Sequence, residues 1–146
     1  MGPGGFSALR AGISVAKGLG FALSIPVSGI NTLEAAAYPY RQLGYPICSI
    51  LQLGRDLVSW ARFKQSSFGW TRIHPDRIGG IETLLEQKGR HTIFCGEGLY
   101  EHSDELTKVM GPKAHLVGEA TTIDRLLGIA LLSDAQFALG TTTPLA

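Results

Sequence analysis

Residues 2–23 read GPGGFSALRAGISVAKGLGFAL, a glycine-rich turn opening directly into one long helical pattern. Gly2, Pro3, Gly4 and Gly5 supply turn dihedrals, Ser7 is the expected N-cap, and the apolar residues that follow keep a helical period. Ser24, Ile25 and Pro26 end the helix. Ala8, Gly12, Ala16 and Gly20 recur at every fourth position, so one ridge is nearly bare of side chains and admits another backbone. Each interior glycine gives up about 1 kcal/mol of propensity against alanine, so packing from outside explains this composition better than helix preference does. Leu9, Val15, Leu19, Ala22 and Leu23 are expected to cover a core, with Arg10, Ser14 and Lys17 forming a basic edge on another side. The turn can be read as an anion site at a helix N-terminus or as a tight connection that requires glycine. It lacks both the Gly-Lys-Ser/Thr of a Walker loop and the spacing of a dinucleotide fingerprint, which favours the connection.

Past this helix, Asn31 as N-cap and Glu34 three residues later form a capping box, and Leu33 with the following alanines starts a second helix. The whole run GPGGFSALRAGISVAKGLGFALSIPVSGINTLEA resembles, without gaps, the GPGSFTGLRIG...AKGLA...IP..G.STLEA signature of the bacterial TsaB (YeaZ) family. The resemblance implies an α/β chain with the actin/Hsp70/sugar-kinase-like (RNase H-like) two-lobed fold. It also implies a non-catalytic, dimer-forming subunit in making N6-threonylcarbamoyladenosine on tRNA beside the anticodon. The partners it implies are the catalytic paralogue TsaD and the small ATPase TsaE, with TsaC supplying threonylcarbamoyl-adenylate; tRNA is met only through the complex, and a homodimer is the other assembly. No cofactor is expected of the subunit itself, the complex interface being the place for a nucleotide.

In that family the helix after the glycine turn contributes to the subunit interface. Here this puts Phe6, Leu9, Arg10, Ile13 and Lys17 at the partner contact, Phe6 and Leu9 as apolar anchors and the cations setting register. TsaD-type relatives carry Asn-His-x-Glu-x-His at the next strand end, and the two histidines bind a metal. This chain has Thr32 and Ala36 at those places, so neither a metal site nor a catalytic residue is expected.

With 146 residues, 45% of them hydrophobic, the chain can bury one modest core. Thirteen basic and twelve acidic residues leave a net charge of +1, which excludes a bulk electrostatic footprint for nucleic acid. Cys48 and Cys95 each sit in an apolar run, as buried reduced thiols do. The N-terminus does not read as a signal peptide, and an uninterrupted apolar stretch of about 18 residues is lacking, so the expectation is a cytoplasmic protein. In TsaB relatives a block of strands precedes the glycine turn, whereas here only Met1 does. The expected organisation is therefore an incomplete first lobe over residues 1–43 and a second lobe over 44–146, which also stops early. Residues 26–30 would then lack sheet neighbours, and the apolar side of the first helix would lack cover.

In order along the chain, 25–30 reads as a short buried strand, and Pro39 limits the helix that begins at Thr32. A hairpin is expected from 47–52 and 57–63 around Gly54. The resemblance weakens there, because Gln52, Gly54, Leu57 and Ser59 replace the family's aspartate, arginine, glutamate and tyrosine. Residues 66–76 read as a polar, irregular link carrying Arg72 and His74, with Arg77 just beyond, and Trp60 and Trp70 as core or sheet-covering residues. A helix over 81–88, a strand over 92–95, a Gly96-Glu97-Gly98 turn, a helix over 99–110 and a short strand near 115–117 follow. The last helix is capped by Thr121 and Asp124 and offers Ile123, Leu126, Leu127, Ala130 and Leu131 as its core face. His74, His91, His102 and His115 fall singly in different elements, so a metal site has nothing to start from. Two other readings compete with the scaffold: an actin-like-superfamily nucleotide hydrolase or peptidase-like enzyme, which needs a phosphate loop and catalytic acid not seen here, and a nonfunctional fragment.

Overall fold

The computed structural model describes residues 6–86, 90–118 and 122–143. The glycine turn Gly2, Pro3, Gly4 and Gly5, the expected cap Thr121 and the end of the 81–88 helix lie outside the described residues.

Ile47–Gln52 is the central strand β1, and its residues Ile47 to Leu51 are all buried, the continuous apolar run of a strand covered on both faces. It pairs antiparallel with β2 (Val58–Ser66), which pairs antiparallel with β3 (Gly69–Gly79). On the other side β1 pairs in parallel with β4 (Thr92–Cys95), and β4 in parallel with β5 (Ala114–Leu116). The resulting five-stranded sheet has the order β3-β2-β1-β4-β5. Short hairpin turns suffice for the antiparallel half, while the parallel half needs crossovers. These run through α3 (Ile81–Leu85) and α4 (Leu99–Met110).

Side-chain alternation sends Cys48, Ile50, Val58, Trp60 and Phe94 to one face, where α3 and α4 cover them with Leu84, Leu85, Leu99 and Leu106. Ile47, Leu51, Ala61, Phe63, Ile93 and Cys95 point to the other face, under Leu33 and Ala37 of α2 (Thr32–Ala37) and Tyr40 of the 3-10 turn that follows it. Beyond α2 lies α5 (Thr122–Ala138), whose Leu132 joins Ile30 and Ala35 in a third cluster. The two helices meet at Gly128, where a Cβ would come within 1.9 Å of the Ala35 carbonyl oxygen. Gly96 is a second close approach: its φ is +100°, and a Cβ there would meet the Ile50 carbonyl oxygen at 2.2 Å.

The hairpin, the 92–95 and 99–110 elements, the buried thiols and the core position of Trp60 are as expected. Four expectations are corrected. Residues 66–76 are not an irregular link: β3 is an edge strand, where polar side chains are tolerated on both faces, and Pro75 sits in the exposed register break between the Trp60–Arg77 and Arg62–His74 pairs. The expected α5 face is wrong, since Ile123 and Leu126 are exposed and Gly128 and Leu132 are buried; close approach, not apolarity, selects the face. Residues 25–30 form no strand of the sheet and make a single antiparallel bridge, Val27 with Thr143. The capping box is half made: the Asn31 side chain accepts the Glu34 N–H at 3.1 Å, but the Glu34 carboxylate turns to Trp70 and Arg72 instead.

Gly128→Ala should cost about 1–3 kcal/mol by overpacking. Gly18→Ala, at a helical position with no heavy atom within 4 Å of the new Cβ, should be neutral or stabilise by up to about 1 kcal/mol. Urea midpoints of the two variants against the parent check both signs. Burial pushes the Cys48 thiol up to about 12, with the Arg62 guanidinium offsetting part of the rise. A thiol that ionises near pH 9 only once unfolded favours the unfolded state as pH rises. Stability contributed by Cys48 should therefore be intact below about pH 8.5 and decline toward pH 12, with a slope of about 1.4 kcal/mol per pH unit. In Cys48→Val, urea unfolding should show a shallower alkaline decline.

Candidate partner interface

The helix expected from residues 6 to 23 is present as α1 (Phe6–Leu23). Ser7 is not its N-cap, because Phe6 is already helical and Ser7 lies in the first turn. Its C-terminus is a Schellman-type cap. Ser24 takes the left-handed conformation at φ 53°, its N–H reaches the Phe21 carbonyl at 3.3 Å, and the Ile25 N–H reaches that of Gly20 at 3.0 Å.

The core role given to Leu9, Val15, Leu19, Ala22 and Leu23 is not realised. Leu9 is half-buried and the other four are exposed; among the described residues of α1 only Gly20 is buried. The small-residue ridge is open at Gly12, where nothing lies within 4 Å of an added Cβ, and closes at the buried Gly20.

The five expected contact residues fall on one stripe, because positions 6, 10, 13 and 17 are spaced three or four apart and Leu9 flanks them. Arg10 is exposed, Ile13 is 41% exposed and Lys17 is half-buried. Ile13 and Lys17, with Gly12 and Ala16, line a cleft of about 440 Å³. Its other walls are residues 27–30, Thr32 of α2, Ile129 of α5 and Thr143. Thr143 braces the 27–30 wall: its N–H donates to the Val27 carbonyl at 2.8 Å, and its hydroxyl accepts the Gly29 N–H at 2.8 Å. The Ser28 hydroxyl donates to the Gln136 side-chain carbonyl of α5. The cleft is thus mainly apolar, with one ammonium at its rim, a surface suited to docking and without a nucleophile paired to a base.

At the positions of the metal-binding histidines, Thr32 opens α2 and Ala36 is buried within it. Glu34, between them, accepts the Trp70 indole N–H at 3.0 Å and pairs with Arg72 at 3.4 Å, and Arg72 also pairs with Asp76. Trp70 in turn stacks on Phe63 at 5.3 Å and meets Tyr38 edge-on at 5.4 Å. The carboxylate therefore ties β3 to α2, a structural use. Among the described residues no group of three or more His, Cys, Asp or Glu could hold a metal ion, and no helix is long and apolar enough to cross a membrane. Two of the histidines read as single do meet: His91 and His115 lie side by side, which their distance in sequence concealed.

Three antiparallel strands continued by two parallel ones in the order β3-β2-β1-β4-β5, with helices on both faces, define an α/β protein of the actin/RNase H-like kind. The model of the family described as "TsaD: tRNA N6-adenosine threonylcarbamoyltransferase" matches residues 1–141, and the chain belongs to that family. The curated tRNA threonylcarbamoyladenosine biosynthesis protein TsaB of Bacillus subtilis (strain 168) is 26% identical over 118 residues, covering 79% of this chain. The chain spans about half, 52%, of that relative's length. Among solved structures, YeaZ from Pseudomonas aeruginosa superposes with a TM-score of 0.67 at 22% identity, over 99% of this chain and 67% of its own. A second structure, of an uncharacterized protein with similarity to peptidase YeaZ from Pseudomonas aeruginosa, gives 0.68 at 21% identity, over 99% and 66%. The TsaB (YeaZ) resemblance carried by residues 2–35 is met by all of these.

Replacing Glu34 by Ala should remove the anchor for both Trp70 and Arg72. The expected cost is about 1–3 kcal/mol from the orphaned indole and the lost ion pair, whereas Arg72→Ala alone should cost about 1 kcal/mol or less because that pair is partly exposed. A double-mutant cycle by denaturant unfolding separates the two.

Proposed function

We propose that this chain is a non-catalytic assembly subunit of tRNA threonylcarbamoyladenosine synthesis, binding a TsaD-type catalytic partner through α1 and supporting transfer to tRNA held by the complex. The observation that carries the reading is the stripe of Leu9, Arg10, Ile13 and Lys17, continued along the helix by position 6 (Phe6), on a helix whose described side chains give almost nothing to the core. A helix whose glycines and exposed apolar residues are unfavourable in isolation becomes economical when a second helix lies along it. That the Bacillus subtilis relative is a biosynthesis protein for this modification supports the pathway. The absence of histidine at Thr32 and Ala36 supports placing the chemistry in the partner. In this role the subunit acts by differential binding: it stabilises the competent state of the partner and is itself stabilised by the same contact. The ATPase TsaE and a cytoplasmic setting belong to the same reading.

Arg10→Glu combined with Ile13→Asp reverses a charge and inserts another into the apolar stripe without touching the sheet. Light-scattering mass of the chain mixed with TsaD of the same genome should show a complex for the parent and separate species for the double variant. An unchanged complex mass in the variant would refute the assignment of this face, and no complex with the parent would refute the role.

A further inference from the structure

His115 lies in β5 opposite Ile93 of the parallel neighbour β4, and His91 precedes Ile93 by two residues, so strand alternation brings both imidazoles to one side. Nδ1 of His91 is 3.0 Å from Nε2 of His115. With the ring centroids 5.3 Å apart and the planes inclined by 25°, the rings meet edge to edge with two nitrogens facing. Tyr45, from the turn before β1, lies over both, 4.9 Å from the His115 centroid and 5.6 Å from that of His91. It is 44% exposed and His91 is exposed, so the pair opens to solvent.

We propose that His91 and His115 form a two-histidine site for a divalent transition-metal ion of the zinc or copper class. Imidazole is the side chain these ions favour after thiolate. Two metal–nitrogen bonds of about 2.0–2.1 Å, meeting at about 90–110°, set the donor atoms about 2.9–3.4 Å apart. The observed separation falls inside that range; the rings must each turn so that the two lone pairs, which now face one another, converge on the ion. In the metal-free pair one proton lies between the facing nitrogens as N–H···N; when the ion takes its place, the donor imidazole gives up that proton and takes one from water at its other ring nitrogen, so both ligands stay neutral. The phenol ring over the imidazoles limits their rotation away from each other. Among the described residues no third His, Cys, Asp or Glu completes a group around them, so water fills the remaining positions and the ion exchanges readily. This site is separate from α1 and does not depend on the function proposed above.

The full chain, labelled with 15N, is titrated with Zn2+ while the imidazole resonances are followed by NMR. His91 and His115 should shift together and saturate at one ion per chain. His74, on the exposed edge strand, and His102, which donates to Gln52 at 3.2 Å, serve as internal references that should not move. Cu2+ bound in the same way should show two equatorial nitrogens in its electron paramagnetic resonance spectrum, reduced to one or none in His91→Gln and in His115→Gln. Should either variant fail to fold, the titration of the parent chain decides alone. Independent responses of the two imidazoles, a response shared equally with His74, or no response overturns the site.

Discussion

The depth to which α5 sinks onto α2 governs one whole side of this molecule. Gly128 sits against the Ala35 carbonyl, and Ala35, Ala36 and Ala37 are all buried, so two backbones pass with hardly any side chain between them. That closeness lets a helix of only six residues be pressed between the sheet and α5. It also fixes the distance at which Leu33 and Ala37 reach Ile47, Phe63 and Ile93. A larger residue at either contact would lift α5 and uncover the outer side of α2. The ring of Trp70, held by Glu34 and stacked on Phe63, closes the same layer from the edge strand.

The other helix long enough to dominate the fold, α1, stands outside this arrangement. Its C-cap sets its direction, and the bridge between Val27 and Thr143 holds the connecting segment, yet its apolar residues stay at the surface. A core is therefore built from β1 outward, and α1 is attached to it by a short braced link. Such a division suits a member of a family whose curated relative acts in making a modified tRNA nucleoside, since a face left free of internal duty can be spent on a partner.

Much of this was legible in the residues. The helix ending at Ser24, the apolar strand at 47–52, the Gly96 corner and the stop at Gly111 each carry a local signal with one cheap solution. The failures share a different cause. β3 is held by its pairing with β2, a long-range contact, while its own charges and Pro75 read as a loop. The buried face of α5 is chosen by one glycine among several apolar candidates, and apolar periodicity cannot see that a missing side chain is the point of contact. The stripe on α1 was readable because helical spacing is a local property. The meeting of His91 with His115 was not, because it depends on strand register across 24 residues.

The surface position of α1 also bears on how the molecule breathes. Opening this helix removes little buried area, so its amides should exchange with solvent through local excursions, long before the sheet gives way. A protease sampling those excursions would cut there first, trimming the chain to its β1-centred body. Anything bound along α1 would then act as a guard, lengthening the life of the chain in proportion to how fully the helix is occupied.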